Sequence, residues 1–299
     1  MLNWLVRYAV LAADLEPPAD GRLATSVLDV GCGSVGLSCV CPDARFAGQD
    51  LHFPNRVAET MFAIRTDPGP FPWVDGAFDT VVSLDALEHV PHDQRGTFVA
   101  ECARVAARRV FLCCPTSEAQ AVDEFFAEMY RHADTAPPAW LDEHVELGLP
   151  APEEIEAACD AVETFTRAPW PQVNGLLTGL AAVGDLHPFF ATQAADEYRD
   201  QRERWIAVLQ AARFNEGVRR GVLLTRDSPI APVVDPARFD KSAARALRCP
   251  ACGEPGLVRT RERLRCAACR LEITPDEQGA LDLRPAEASR RRWWRRLSR

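Results

Sequence analysis

The chain has 299 residues, 47% of them hydrophobic, with a formal net charge of −9 at pH 7. That length and apolar content exclude a disordered chain and suit one large domain or two smaller ones. The charge is split, with 21 Lys and Arg against 36 Asp and Glu in residues 1–245, and 13 against 7 in residues 246–299. An acidic body disfavours wide contact with nucleic-acid phosphates, whereas the basic end leaves a small anionic surface as a partner.

Residues 2–14 carry apolar side chains at helical spacing through Trp4, Leu5, Tyr8 and Leu11, and predict a helix packed on the domain edge. The segment has no long apolar core of the signal-peptide kind, and nowhere does the chain approach the roughly 18 apolar residues of a membrane span. Seven of the eleven cysteines (Cys32, Cys39, Cys41, Cys102, Cys113, Cys114, Cys159) lie mostly in apolar segments and read as reduced, buried small hydrophobes. Such usage suggests a reducing cytoplasm, so the expected location is cytoplasmic, with membrane association left open by the C-terminal tail.

Val27 to Val30 reads as a short buried strand running into Gly31-Cys32-Gly33-Ser34-Val35-Gly36. Gly31, Gly33 and Gly36 give the G-x-G-x-x-G spacing, which turns tightly and lets a ligand approach the main chain. Pro42 limits the following helix to a short one. Asp50 arrives 19 residues after Gly31, beyond the strand-like Ala44 to Gln49, where a carboxylate can accept hydrogen bonds from ribose hydroxyls. Pro54 to Met61 reads as a helix, and Met61 to Thr66 as a weak third strand ending near Asp67. Phe78 to Leu84 and Arg109 to Cys114 are apolar runs of strand length on either side of an amphipathic helix over 94–107. Residues 116–160 are mostly helical, Val162 to Arg167 alternates as a strand, 184–214 is helical, and Arg219 to Thr225 forms a last strand. Alternating strands and helices predict a doubly wound, mostly parallel seven-stranded α/β sheet with a helical insertion over about 168–216.

The glycine loop, together with Asp67-Pro68-Gly69-Pro70-Phe71-Pro72-Trp73-Val74-Asp75-Gly76-Ala77-Phe78-Asp79 and Leu84-Asp85-Ala86-Leu87-Glu88-His89-Val90, resembles the class I S-adenosylmethionine-dependent methyltransferases of the type-11 group. The resemblance covers residues 23–115 well and the next hundred loosely. It implies a Rossmann-like fold and S-adenosylmethionine as cofactor. It places Asp29, Gly31, Cys32 and Gly33 around the methionine part, Asp50 with Leu51 at the ribose, Asp67 and Pro68 at the adenine, and Ser83 and Leu84 near the methyl group. Ser83-Leu84-Asp85-Ala86 lacks the Asn/Asp-Pro-Pro-Tyr motif of amino-group methyltransferases, which favours transfer to oxygen or carbon. An oxygen acceptor benefits from a general base, and His89 and His144 are the candidates.

Ser228 to Phe239 is proline-rich and aperiodic, so residues 229–245 read as a linker. Cys249-x2-Cys252 and Cys266-x2-Cys269, thirteen residues apart, then supply the four thiolates of a closed structural zinc site in a ribbon over 246–285. This segment resembles the small zinc-ribbon activator subunit of tRNA and ribosomal methyltransferases. The tail over 286–299, with Arg290, Arg291, Arg292, Trp293 and Trp294, suits an anionic membrane surface or stacking on RNA. Three function classes follow: an enzyme acting on a small-molecule, lipid- or sugar-linked metabolite; an RNA methyltransferase using the ribbon and tail to hold RNA; and a non-catalytic scaffold.

Overall fold

The computed structural model describes residues 2–15, 23–173, 187–211, 213–214, 219–261 and 263–285, with isolated positions at 177, 180, 181 and 184. The predicted basic tail therefore lies outside the described residues, as does part of the predicted insertion. In chain order the elements are α1 (Leu2–Asp14), β1 (Val27–Val30), β2 (Phe46–Asp50), β3 (Met61–Arg65), β4 (Phe78–Leu84), α2 (Arg95–Val105) and β5 (Ala106–Pro115). Next come α3 (Gln120–His132), α4 (Ala139–Leu147), α5 (Pro152–Asp160), β6 (Phe165–Pro169), β7 (Gln172–Val173), α6 (Pro188–Asp200), α7 (Arg202–Ala211) and β8 (Arg213–Phe214). The chain finishes with β9 (Arg219–Arg226), α8 (Phe239–Ala246), β10 (Leu257–Thr260), β11 (Arg263–Cys266), β12 (Glu272–Ile273) and β13 (Leu281–Asp282).

Strands β1 to β5 pair in parallel in the order 3-2-1-4-5, and β9 enters antiparallel between β5 and β6. Val27 to Val30 and Phe78 to Leu84 are buried along their whole length, as strands covered on both faces require. Successive side chains of each strand feed opposite faces. Leu28, Val81 and Leu112 join a core with α2, α5 and α8, whereas Val27, Val82 and Phe111 join another with α1 and the insertion helix α7. Helices α6 and α7 lie between β6 and β9 in the chain, and α1 packs on both.

Among the described residues the sheet has eight strands where seven were expected. The additional strand is β13, which pairs in parallel with β3 at Leu281↔Ile64 and Asp282↔Arg65. It comes from the C-terminal segment predicted to belong wholly to the ribbon. The region read as a linker is likewise built into the body. The amides of Val233 and Val234 donate to the carbonyls of Gly76 and Ala77, that of Ile230 donates to Ala107, and Phe239 and Ala243 of α8 are buried in the main core. Proline content signals irregular backbone, not detachment, and here the irregular segment finds its partners across the fold. The expected helix at Pro54 to Met61 is absent. Val57 N donates to Gln278 O and Ala58 N to Ser34 O, so long-range partners hold the amides a helix would use.

Candidate methyltransferase site

The glycine loop opens from the carboxyl end of β1, beside the ends of β2 and β4. Gly31, Gly33 and Gly36 have φ of 76°, 53° and 49°, the left-handed region that favours glycine. A Cβ on Gly31 would lie 2.4 Å from Ala86 Cβ, so this glycine lets the turn after β4 close against the loop. A Cβ on Gly36 would lie 2.6 Å from Asp29 Oδ2.

That carboxylate is fully buried. Its Oδ1 accepts from Tyr8 Oη at 3.1 Å and its Oδ2 from the Leu37 amide at 2.9 Å. Burial pushes its pKa up to about 7, against the pull of those two donors. Asp29 thus ties α1 to the start of the short 3-10 turn Gly36–Cys39, the reduced helix that Pro42 predicted. Asp50, at the end of β2, accepts from the Gly33 amide at 2.8 Å through Oδ2 and from the His52 amide at 3.0 Å through Oδ1. Leu51 beside it is exposed. The Cys32 thiol points into the core, 4.0 Å from Met61 Sδ, so only its backbone faces the loop. Asp67 and Pro68 follow β3 at the same edge of the sheet.

The loop after β4 carries a second group of polar residues. Asp85 has φ of 53° and sits under two guanidinium groups, Arg219 in a bidentate pair and Arg7 at 2.5 Å. Burial works against its ionisation, but Arg219 and Arg7 together hold its carboxyl below the usual range. This buried trio joins α1, β4 and β9, and no local pattern could have revealed it. The 3-10 turn Leu87–His89 then buries Glu88, whose Oε2 has no hydrogen-bond partner. Burial, and next the charge of Asp85, push its pKa well up. Ser83 Oγ, also buried, is equally without a partner.

The two histidines named from sequence, 55 positions apart, meet here with ring centroids 5.3 Å apart. His144 on α4 is buried and its Nδ1 lies 2.9 Å from Asp123 Oδ2 on α3. His89 Nδ1 lies 2.7 Å from Glu143 Oε2. Burial and the neighbouring imidazole lower the pKa of His89, with Glu143 opposing them. Glu88 went unassigned in the sequence; its spacing from Asp85 and adjacency to His89 were the available signal.

Residues 28–114 match the family model described as "Methyltransferase domain". Over these residues the chain carries a methyltransferase domain. Its fold is also similar to solved structures. One is the plantazolicin methyltransferase BpumL in complex with S-adenosylhomocysteine, at 11% identity over 76% of this chain and 85% of that one, with a TM-score of 0.45. Another is a magnesium protoporphyrin IX methyltransferase from Synechocystis PCC 6803, at 14% identity over 74% and 80%, with a TM-score of 0.38.

Away from these loops, the ribbon brings its four cysteines together. Cys249 Sγ and Cys269 Sγ are 3.5 Å apart, and Cys252 Sγ and Cys266 Sγ 3.6 Å apart. All four sulfurs lie within 4.8 Å of one another. Leu257, Leu264 and Ile273 of the ribbon share the buried core of Trp73 and Phe78. Among the described residues, no helix is long and apolar enough to cross a membrane.

Proposed function

We propose that the protein transfers the methyl group of S-adenosylmethionine to an oxygen or carbon atom of a small-molecule, lipid- or sugar-linked metabolite. The observation that carries this reading is the convergence of the glycine loop, Asp50 and the turn after β4 at one edge of the parallel sheet, within the matched domain. The residues fit the cofactor: left-handed backbone at Gly31, Gly33 and Gly36 makes the tight turn on which a ligand can approach the main chain, and Asp50 stands at the end of β2 to accept from ribose hydroxyls. Leu51 would lie beside the ribose, Asp67 and Pro68 would border the adenine, and Gly31, Cys32 and Gly33 would follow the methionine part. Asp29 acts behind them by fixing the loop.

The cofactor, when bound, supplies an electrophilic methyl on a sulfonium, which leaves the protein chiefly to position the acceptor and exclude water. Ser83 and Leu84 would border the methyl group. The orphaned Ser83 hydroxyl and Glu88 carboxyl give the acceptor polar anchors, and His89 with His144 would hold or accept the proton of a hydroxyl acceptor. The arginines beside the ribbon speak against an RNA grip: Arg45 and Arg259 both pair with Asp240, and Arg263 with Glu272.

Labelled cofactor incubated with the protein and fractionated cell extract tests the reading. Label is expected in small solutes or lipid, and label confined to RNA would overturn the substrate class. The four cysteines would hold one structural zinc with no open position. Metal analysis should find about one zinc per chain at this site, lost in Cys266→Ser. Because the ribbon shares the main core and β13 completes the main sheet, stripping that zinc should lower the melting temperature of the whole protein in a single transition.

A further inference from the structure

We infer that Glu88, His89 and His144 form a binding site for a divalent transition-metal ion, separate from the four-cysteine site. The carboxylate oxygens and ring nitrogens these side chains offer lie within 4.8 Å of one another. His89 Nε2 is 3.9 Å from Glu88 Oε1, too wide for a hydrogen bond, and a shared ion at about 2.1 Å from each would draw the two closer together. Two features distinguish this from an incidental cluster. First, each histidine has a carboxylate on its far nitrogen, Asp123 behind His144 and Glu143 behind His89. A carboxylate at Nδ1 favours the proton there and leaves the Nε2 lone pair for a ligand, the arrangement that orients metal-binding histidines. Second, Glu88 is 1% exposed with Oε2 unpartnered. A cation held among the three side chains would give that buried oxygen a partner.

The donor set selects the class of ion. Two imidazoles disfavour magnesium and calcium, which take oxygen ligands, and suit first-row transition ions and zinc. Three protein ligands leave coordination positions open, as in catalytic sites and unlike the closed cysteine set. The side chain of His89 is 30% exposed, which gives an ion a way in from solvent. The use of the ion rests on the methyltransferase reading: beside the end of β4, an open position would take an oxygen of the acceptor and make its hydroxyl more acidic. The site itself does not depend on that reading.

The test uses the full chain given a single equivalent of zinc, which the four thiolates take first, and then titrated with Co2+ by calorimetry. Cysteine-bound zinc holds its place because zinc outranks cobalt in affinity. The parent should bind about one Co2+ per chain and melt at a higher temperature with the ion present. Glu88→Gln and His144→Gln should each weaken binding by well over tenfold and abolish the rise in melting temperature. Asp123→Asn keeps all three ligands and should weaken binding by about 10–100-fold, which tests the site if the other variants fold poorly. The inference is overturned if the parent takes up no Co2+, or if folded variants bind it as tightly as the parent. S-adenosylmethionine binding measured on the same samples separates the two readings. Cofactor binding without Co2+ sinks this inference alone, and Co2+ binding without cofactor sinks only the proposed function.

Discussion

The loop after β1 and the loop after β4 open at the same edge of one sheet, yet their polar groups stand in opposite conditions. After β1, both oxygens of Asp29 and both oxygens of Asp50 accept hydrogen bonds from the protein. After β4, Ser83 Oγ and Glu88 Oε2 are buried without partners. A buried orphan is costly and persists where something else compensates for it. The first loop is thus finished by the chain itself and holds a fixed geometry for one invariant ligand. The second is finished only when an ion or an acceptor arrives, so it is where differences in substrate between related domains would be written.

The largest expected effect breaks the second loop at its support. Arg219→Ala leaves Asp85 buried against a single remaining cation, and removing one partner of a buried pair costs about 3–5 kcal/mol. Denaturant unfolding should show that loss; a loss below about 1 kcal/mol would mean that the trio adds nothing to the turn after β4.

On the first loop, Asp29 makes stability depend on pH. Its folded pKa, about 7, lies above the ordinary carboxylate value of 3.8, so the folded state holds the proton more tightly. Its contribution is full below about pH 4 and is lost as pH rises towards 7, a loss of about 4 kcal/mol at 1.36 kcal/mol per pKa unit. Asp29→Asn cannot ionise and should flatten the stability profile between pH 4 and 7. Chemical unfolding across that range checks this, and an unchanged slope would mean that Asp29 is ionised in the fold.

A smaller effect sharpens the division of labour. Asp50→Ala should weaken S-adenosylmethionine binding at least tenfold by calorimetry, since hydrogen bonds to a charged acceptor are worth about 1.5–3 kcal/mol each. Glu88→Gln should leave cofactor affinity within about twofold, because its site faces the acceptor; equal losses in the two variants would erase the contrast between the loops. The smallest effect belongs to the tail. Deleting residues 286–299 should leave turnover on a soluble acceptor unchanged and reduce co-sedimentation with anionic vesicles, since each basic residue near such a surface is worth about 1 kcal/mol.

What the sequence made legible follows the range of the interactions involved. The strands β1, β4 and β5 and the glycine turn announce themselves through contiguous apolar runs and glycine spacing, and Pro42 correctly foretold the shortened helix. The four cysteines were equally readable because ligand spacing is local. The failures are long-range. The missing helix at 54–61 depends on Gln278 O, and the anchoring of 229–245 on the carbonyls of Gly76, Ala77 and Ala107. Arg219 reaches Asp85 across 134 positions. His89 and His144 were singled out separately by residue type, but their meeting, and the part of Glu88 in it, come from the packing of α4 on the turn after β4.

The pairing of β13 with β3 also fixes an order of events during synthesis. Until residues 281–282 leave the ribosome, β3 presents a bare parallel edge in a sheet whose other strands are already translated. An unpaired edge is a template for another chain. Between the ribbon cysteines and β13 lie only eleven residues, so folding of the ribbon brings the capping strand into reach. Metal supply would then govern how long nascent chains remain exposed to aggregation, which makes zinc-starved cells the place to look for insoluble protein.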